Sequence, residues 1–219
     1  MVVICDKEYT NSIFAKHFEA YPFELSDFQK HAIQGIVEGN HVLVTAHTGS
    51  GKTLPAEFAI EHFHSKGKKV IYTSPIKALS NQKYYEFTKQ FPNISFGILT
   101  GDIKFNPEAD VLIMTTEILQ NSLYQLVNSE PKQSNSNLHF QMDLHNELGC
   151  VIFDEIHYIN DADRGKVWEE SILMLPDHIQ MVMLSATIDK AEEFALWCEQ
   201  RHGNENDKCV ILAPTNHRV

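Results

Sequence analysis

Ala46-His-Thr-Gly-Ser-Gly-Lys-Thr53 lies between an apolar run, His41–Thr45, and a segment of helical character, Leu54–Ser65. A strand, a glycine-rich turn and a helix start, in that order, are what a phosphate-binding loop requires. Gly49 and Gly51 allow backbone conformations that point successive N–H groups inward, and the helix N-terminus adds partial positive charge. The order of these features therefore predicts a phosphate site.

Two side chains of this loop carry the expected chemistry. Lys52 would reach the β- and γ-phosphates of a nucleotide, and the Thr53 hydroxyl would hold Mg²⁺. The usual pattern, G-x-x-x-x-G-K-[ST], begins with glycine, whereas Ala46 stands at that position here. A short Gly-Lys-Thr also recurs by chance, but the strand before it and the helix after it favour the functional interpretation.

Composition indicates an ordinary globular protein. The chain has 219 residues, 43% hydrophobic and 21% charged, enough to bury the core of one large domain. No apolar run approaches the ~20 residues of a membrane span and no signal segment opens the chain, which predicts an intracellular protein, cytoplasmic or nuclear. The net charge of -11 has the wrong sign for a broad basic face, so any nucleic-acid contact is expected to be local.

Cysteine and histidine positions give no metal-binding pattern. The four cysteines are Cys5, Cys150, Cys198 and Cys209. They show no C-x-x-C spacing, and because Cys150 and Cys209 fall in predicted strands, we expect buried free thiols in a reducing compartment. The closest histidine pair, His62-x-His64, lacks a Cys or acidic partner at ligand spacing, so we expect solvated histidines and no zinc site.

Seven apolar, strand-like runs alternate with helical segments. The runs are His41–Thr45, Lys68–Thr73, Ile94–Thr100, Asp110–Thr115, Cys150–Asp154, Gln180–Leu184 and Lys208–Leu212. Helical patterns cover residues 26–39, 54–65, 76–91 and 116–127. Most runs are apolar nearly throughout, which predicts an α/β fold with a mostly parallel sheet of about seven strands and helices on both faces.

Three stretches fall outside this alternation. Residues 128–146, rich in Asn, Ser, Gln and His, exceed the ~2 to 6 residues of a usual connection and predict a surface insertion. Residues 201–207 predict a polar loop. Residues 1–22 carry mixed signals and are interpreted as an N-terminal flank.

Acidic and hydroxyl residues follow two of the apolar runs, Asp154-Glu155 after one and Ser185-Ala-Thr187 after another. Loops at the carboxyl ends of parallel strands share one edge of a sheet, where ligands bind. Asp154 is therefore predicted to organise Mg²⁺ through its water shell, and Glu155 to orient and deprotonate an attacking water. Adjacent acids are also common on surfaces, and the hydroxyls equally fit a helix N-cap before Asp189.

Several blocks together resemble helicase superfamily 2, in its DExH-box branch. Its motifs I, II and III resemble Ala46–Thr53, Asp154-Glu-Ile-His157 and Ser185-Ala-Thr187. Further blocks resemble those of the superkiller-type, exosome-associated RNA helicases: Phe23-x-Leu-x-x-Phe-Gln29, Ser74-Pro-Ile-Lys-Ala-Leu-Ser-Asn-Gln-Lys83, Thr100-Gly-Asp102, Met114-Thr-Thr-Glu-Ile-Leu-Gln120 and Val151-Ile-Phe-Asp-Glu-Ile-His-Tyr-Ile-Asn-Asp-Ala-Asp-Arg-Gly165. The resemblance runs from Phe23 to the C-terminus and implies a RecA-like domain that uses ATP and Mg²⁺.

The resemblance also implies roles for individual residues. Gln29 would read adenine with Phe23 packing nearby, although spacing alone favours a solvated Gln. His157 would couple the nucleotide site to Ser185, Ala186 and Thr187. The nucleotide would be held by the whole loop: Ala46, His47, Thr48, Gly49, Ser50, Gly51, Lys52 and Thr53. The nucleic-acid backbone would be contacted, through hydroxyls and helix N-termini, by Ser74, Pro75, Lys77, Gly101, Asp102, Thr116 and Glu117.

The resemblance implies one motor domain, residues 23–213, and the start of a linker, residues 214–219. The 219 residues do not include the motifs of a second RecA-like domain, whose arginines complete the ATP site in this family. The expected partners are therefore a second RecA-like domain of the same polypeptide, single-stranded RNA and an RNA-decay complex. The insertion at residues 128–146 is longer than the family's connection.

The predicted function is that of the first motor domain of an ATP-dependent RNA helicase, which translocates on RNA and unwinds it when joined to the second. A DNA helicase or translocase of the same superfamily is one alternative. Another is a nucleotide-gated binding module without motor activity. Intact Lys52 and Glu155 count against that module, because a chain without turnover would be expected to lose one of them.

Overall fold

The computed structural model describes residues 1–128, 142–186, 188–203 and 208–215. Within these ranges nine strands form one sheet in the order β1-β9-β2-β8-β7-β3-β6-β4-β5, parallel except for the β4–β5 pair. The strands are β1 (Val3–Ile4), β2 (His41–Thr45), β3 (Lys69–Ser74), β4 (Phe96–Leu99), β5 (Lys104–Phe105), β6 (Val111–Thr115), β7 (Leu148–Phe153), β8 (Gln180–Ser185) and β9 (Val210–Pro214). The predicted α/β class is confirmed, with two strands more than expected.

Helices connect the strands and cover both faces of the sheet. They are α1 (Ala15–Phe18), α2 (Asp27–Val37), α3 (Leu54–Ser65), α4 (Lys77–Gln90), α5 (Thr116–Asn128), α6 (Gly165–Met174) and α7 (Ala191–Gln200), with 3₁₀ turns at Ser12–Phe14 and Ile156–Asn160. α3 has the predicted bounds, and α2, α4 and α5 begin and end within two residues of prediction. None of the helices in the described part of the chain is long and apolar enough to cross a membrane.

The core has two halves, one on each face of the sheet. Ile33, Ile60 and Phe87 bring α2, α3 and α4 onto one face. Trp168 and Cys198 bring α6 and α7 onto the other. Because successive residues of a strand point to opposite faces, the central strands contribute buried side chains to both halves, which explains their nearly continuous apolar sequence.

The two additional strands lie at the edges of the sheet. β1 extends it from residues interpreted as a flank, since Val3 and Ile4 pair with Ile211 and Leu212 of β9. β5 turns back antiparallel to β4. Each strand has two residues, both exposed, and is too short for a repeating pattern to mark it in the sequence.

Two burial predictions were wrong. All four cysteines are free thiols and Cys150 is buried, but Cys209 precedes β9 and is half-buried. His62 is not solvated, since its ring stacks on that of Phe58 with centroids 5.5 Å apart. Burial lowers the pKa of His62 to about 4, so the ring is neutral and packs as an aromatic side chain.

Residues at both ends of the predicted insertion, 128–146, belong to the fold instead. Asn128 is the last residue of α5, and Met142 is buried in the core. The Asp143 carboxylate accepts from the backbone of His145 and Asn146, which forms a tight turn into β7. Residues 129–141 lie outside the described residues.

Candidate nucleotide and nucleic-acid site

The glycine-rich loop joins the end of β2 to the start of α3. Gly49 and Gly51 have φ of 88° and 83°, in the left-handed region that other residues rarely adopt. A Cβ on Gly51 would also lie 2.6 Å from Nε2 of Gln29, so any other residue would displace the Gln29 amide. Ala46 does not have a positive φ, is buried, and donates its N–H to the Ser185 carbonyl at 3.0 Å. Alanine at the first position is therefore compatible with the loop.

Lys52 and Glu155 meet although 103 positions separate them. Lys52 is only 8% exposed, and its Nζ lies 2.9 Å from Oε1 of Glu155. Glu155 has φ 55° and ψ 44°, a left-handed conformation that costs energy in a residue with a Cβ. Its Oε2 lies 3.3 Å from Nδ1 of His157, which makes no hydrogen bond with the described residues. The structure thus brings three of the predicted site residues together.

Asp154 is buried, and both of its carboxylate oxygens accept hydrogen bonds. The Tyr72 hydroxyl donates to Oδ2 at 2.5 Å, and the Glu155 N–H donates to Oδ1 at 2.9 Å. Burial raises the pKa of the Asp154 carboxyl, and the Tyr72 hydrogen bond opposes that rise. Burial and the Asp154 charge raise the pKa of Tyr72 well above its usual value, so the hydroxyl remains a donor.

Tyr72 is the residue that sequence analysis missed at this site. A signal was present, because a tyrosine inside an apolar strand needs a partner for its hydroxyl once it is buried. The sequence offered no way to choose that partner. Asp154 lies 82 positions further along the chain.

Gln29 is buried, so the solvated alternative is wrong. Its Oε1 accepts from the Ser26 N–H at 2.9 Å, and its Nε2 donates to the Gly51 carbonyl at 3.0 Å. The amide therefore ties the start of α2 to the glycine-rich loop. Beside this contact lies a cavity of about 330 Å³, lined among others by Ser26 and Ser50. Phe23, predicted to pack near adenine, is 55% exposed.

Ser185 ends β8, the strand between β2 and β7. Its hydroxyl is buried and makes no hydrogen bond with the described residues. An unpartnered buried hydroxyl is costly, which is typical of a position that waits for a ligand or water. Ala186 is half-buried, whereas Thr187 lies outside the described residues.

The donor set at this edge fits Mg²⁺ with a nucleotide. Carboxylate and hydroxyl oxygens are available from Asp154 and Thr53, whose side chain makes no capping bond to α3. Lys52 supplies a buried cation for phosphate, and Gly49 leaves open space where a Cβ would stand. Among the residues the structure describes, no group of three or more His, Cys, Asp or Glu forms a separate metal cluster.

The residues predicted to contact nucleic acid lie at the carboxyl ends of β3, β4 and β6 or just beyond them. Four are exposed: Lys77, Gly101, Asp102 and Glu117. Lys77 Nζ lies 2.5 Å from Oδ2 of Asp102, so this pair would have to open to bind a phosphate through Lys77. Pro75 is half-buried.

Ser74 and Thr116 differ from the four exposed residues because their side chains are buried. Ser74 Oγ lies 2.7 Å from Oγ of Ser80, and the Thr116 hydroxyl donates to the Ser74 carbonyl at 3.4 Å. These hydroxyls support the edge from within, and in this arrangement they are not presented to a ligand.

Fold and site together define a RecA-like P-loop nucleotide-binding domain. The chain belongs to the DEAD/DEAH box helicase family, whose model matches residues 26–194. It is 48% identical to the antiviral helicase SKI2 of Saccharomyces cerevisiae over 199 residues, and this matched region covers 91% of this chain and 14% of SKI2. It is 46% identical to the exosome RNA helicase MTR4 of Homo sapiens over 187 residues, and this matched region covers 85% of this chain and 16% of MTR4. The resemblance to superkiller-type helicases is thereby confirmed.

A solved structure has the same fold. The helicase Lhr of Mycobacterium smegmatis, bound to ssDNA and AMP-PNP, superposes with a TM-score of 0.68 at 26% identity, covering 94% of this chain and 28% of that one. The chain spans about a seventh of the length of the curated relatives described above.

Proposed function

We propose that this chain is the first motor domain of an ATP-dependent RNA helicase. The observation that carries the proposal is the convergence of Lys52, Asp154 and Glu155 behind the glycine-rich loop, within a chain of the DEAD/DEAH box helicase family. The loop after β2 supplies Lys52 and the end of β7 supplies Asp154 and Glu155, so two distant parts of the sequence meet here. Such a convergence is what phosphoryl transfer needs, because its catalysis consists of positioning and charge stabilisation.

Each residue has a distinct task in this proposal. Lys52 exchanges Glu155 for a phosphate oxygen, which frees the Glu155 carboxylate to orient a water and accept its proton. Asp154 holds the water shell of Mg²⁺, with Thr53 as a further oxygen ligand. Bound Mg²⁺ would neutralise charge that develops on the phosphates. Gln29 would read adenine with the second N–H of its amide and the second lone pair of its Oε1, because its bonds to Ser26 and Gly51 use only one of each.

His157 and Ser185 would link the nucleotide state to the rest of the motor. Both carry a buried polar atom without a hydrogen bond among the described residues. His157 lies beside Glu155, and the Ser185 carbonyl accepts from the Ala46 N–H at the start of the glycine-rich loop. A change at Glu155 on ATP binding would give these atoms new partners. Thr187 is proposed to act with Ser185.

RNA is the proposed substrate because the exosome RNA helicase is a 46% identical relative. Lys77, Gly101, Asp102 and Glu117 would contact its backbone, which agrees with a local site on a chain of net charge -11. A second RecA-like domain of the same polypeptide would complete the motor, in a cytoplasmic or nuclear RNA-decay complex. With it, the enzyme would translocate on RNA and unwind it.

A DNA helicase of the same superfamily is the alternative, supported by the ssDNA-bound helicase with the same fold. Competition between strands separates the two. A labelled single-stranded RNA bound with an unhydrolysable ATP analogue is challenged with unlabelled RNA and with the 2′-deoxy strand of the same sequence. We expect RNA to compete several-fold better, whereas equal or better competition by DNA would favour the alternative.

A further inference from the structure

We propose that Tyr72 is a positioning residue that holds Asp154 in the orientation that Mg²⁺ requires. The inference rests on the proposed nucleotide site. Its direct observation is the 2.5 Å hydrogen bond from the Tyr72 hydroxyl to Oδ2 of Asp154, made between two buried side chains.

The register of the sheet places these two residues together. Tyr72 of β3 stands opposite Ile152 of β7, and Asp154 follows two residues later on the same face of that strand. Side chains in strands lean along the strand direction, so the long tyrosine ring spans the distance to the carboxylate. A shorter or apolar residue at this position would leave Oδ2 without its donor.

The ring of Tyr72 is itself fixed. It is fully buried, and Phe87 of α4 packs against it edge to face, with centroids 5.2 Å apart and an interplanar angle of 77°. Phe87 is only 1% exposed. Close packing against α4 in this half of the core therefore keeps the hydroxyl aimed at Asp154.

Two donors then determine the orientation of the carboxylate. Tyr72 occupies one site on Oδ2 and the Glu155 N–H occupies one on Oδ1, which leaves further lone pairs for the water shell of Mg²⁺. Partners of this kind orient a ligand without touching the metal, and their loss typically costs 10- to 100-fold in metal affinity.

The test is Tyr72→Phe, which removes the hydroxyl and keeps the ring. ADP affinity is measured by calorimetry on the 219-residue chain across a range of Mg²⁺ concentrations and in chelator. We expect the Mg²⁺ concentration for half-maximal binding to rise roughly tenfold, with ADP affinity in chelator unchanged. The matched control is Thr73→Val, which removes a buried hydroxyl of the same strand that bonds to the Ile152 carbonyl instead. It should shift neither value.

An unchanged Mg²⁺ requirement in Tyr72→Phe would overturn the inference and leave the proposed function standing. If the unchanged chain binds ADP without any effect of Mg²⁺, or does not bind it, both fail. Should Tyr72→Phe not fold, Phe87→Leu loosens the ring while keeping the hydroxyl. It is expected to raise the Mg²⁺ requirement by a smaller factor, and no rise would contradict the inference.

Discussion

Lys52 stands between two competing partners, the Glu155 carboxylate at 2.9 Å and the phosphate it is proposed to bind. Lys52→Ala removes the cation that would neutralise that phosphate, so ATP turnover should fall by about 10² or more. The measurement is steady-state ATP hydrolysis by a protein in which this chain is joined to a second RecA-like domain. Lys190→Ala, which removes a largely exposed cation paired with Glu193, is the control and should retain turnover. Activity within a few-fold of the unchanged protein in Lys52→Ala would show that the site is misassigned.

Glu155→Gln separates binding from hydrolysis. The amide keeps the size of the side chain but cannot accept a proton from water, so turnover should fail while ATP affinity stays near its original value. Equilibrium ATP binding and turnover are measured on the same preparation, with Glu193→Gln as a surface control. If affinity collapses together with turnover, Glu155 has a structural role instead.

At the scale of single residues, the sequence predicted the chemistry of residues that belong to contiguous motifs. It did not predict contacts between residues that lie far apart in the chain. Lys52 and Glu155 are recognisable because each belongs to a motif with a defined neighbourhood. Gly51, which accepts from Gln29, and Asp154, which accepts from Tyr72, lie 22 and 82 positions away, and only the fold brings these pairs together. The burial of His62 is not predictable from the sequence for the same reason, because it depends on how α3 packs.

The pairing of β2 and β8 includes a titratable side chain. His41 Nδ1 accepts the Met181 N–H at 2.9 Å, and burial, with the charges of Arg201 and Lys208, lowers the pKa of His41 well below 6.5. Below about pH 6.5, His41 binds a proton in the unfolded chain but stays neutral in the folded chain. Stability is therefore complete above about pH 6.5 and falls as the pH drops, by up to ~1.4 kcal/mol per pH unit for this group.

His41→Asn keeps an acceptor without a titration, so it should flatten this dependence. Urea unfolding at pH 7, 6 and 5 gives the slope for each chain, and the slope is independent of any constant loss from the smaller side chain. Other histidines with lowered pKa values, such as His17, leave a residual slope in both. Equal slopes for the two chains would contradict the assignment to His41.

Helix α2 packs closely against the sheet at Gly35. A Cβ there would lie 2.9 Å from Cγ2 of Val42 and from Cγ1 of Ile211. Overpacking costs about 1–3 kcal/mol, whereas alanine in place of glycine in a helix gains ~1 kcal/mol, so Gly35→Ala should destabilise by up to about 2 kcal/mol. Urea unfolding measures this change. Gln34→Ala on the same helix should stay within ~0.5 kcal/mol, and a gain in stability for Gly35→Ala would contradict the packing argument.

At the scale of elements, long periodic patterns were predictable and short edge elements were not. α3 and α4 have enough residues to show a repeating apolar face. β1 and β5 have two residues each and exist because a neighbouring strand offers them hydrogen bonds. The sequence around Met142 is polar and predicts an insertion, although Met142 itself is buried in the core.

At the scale of the whole molecule, the proposed ATP site needs positive charge on both sides of the γ-phosphate. Lys52 supplies one side, and an arginine on the other side adds about 10³ to 10⁵ in rate. The chain has three arginines: Arg164, Arg201 and Arg218. Arg201 contacts Met181 and Pro176, at the end of β8 away from Ser185, and Arg164 precedes α6. Arg218 lies outside the described residues. We therefore expect a second RecA-like domain to supply the missing charge and much of the RNA-binding surface, so RNA affinity of the chain alone should be weak and salt-sensitive.

The decisive measurement is ATP hydrolysis by the 219-residue chain, with and without single-stranded RNA, beside the same chain joined to a second RecA-like domain. We predict Mg²⁺-dependent turnover that RNA stimulates strongly in the joined protein and hardly at all in the chain alone. Brisk RNA-stimulated turnover by the chain alone would contradict a site shared between two domains, and turnover by the joined protein that ignores RNA would contradict its assignment as an RNA helicase motor.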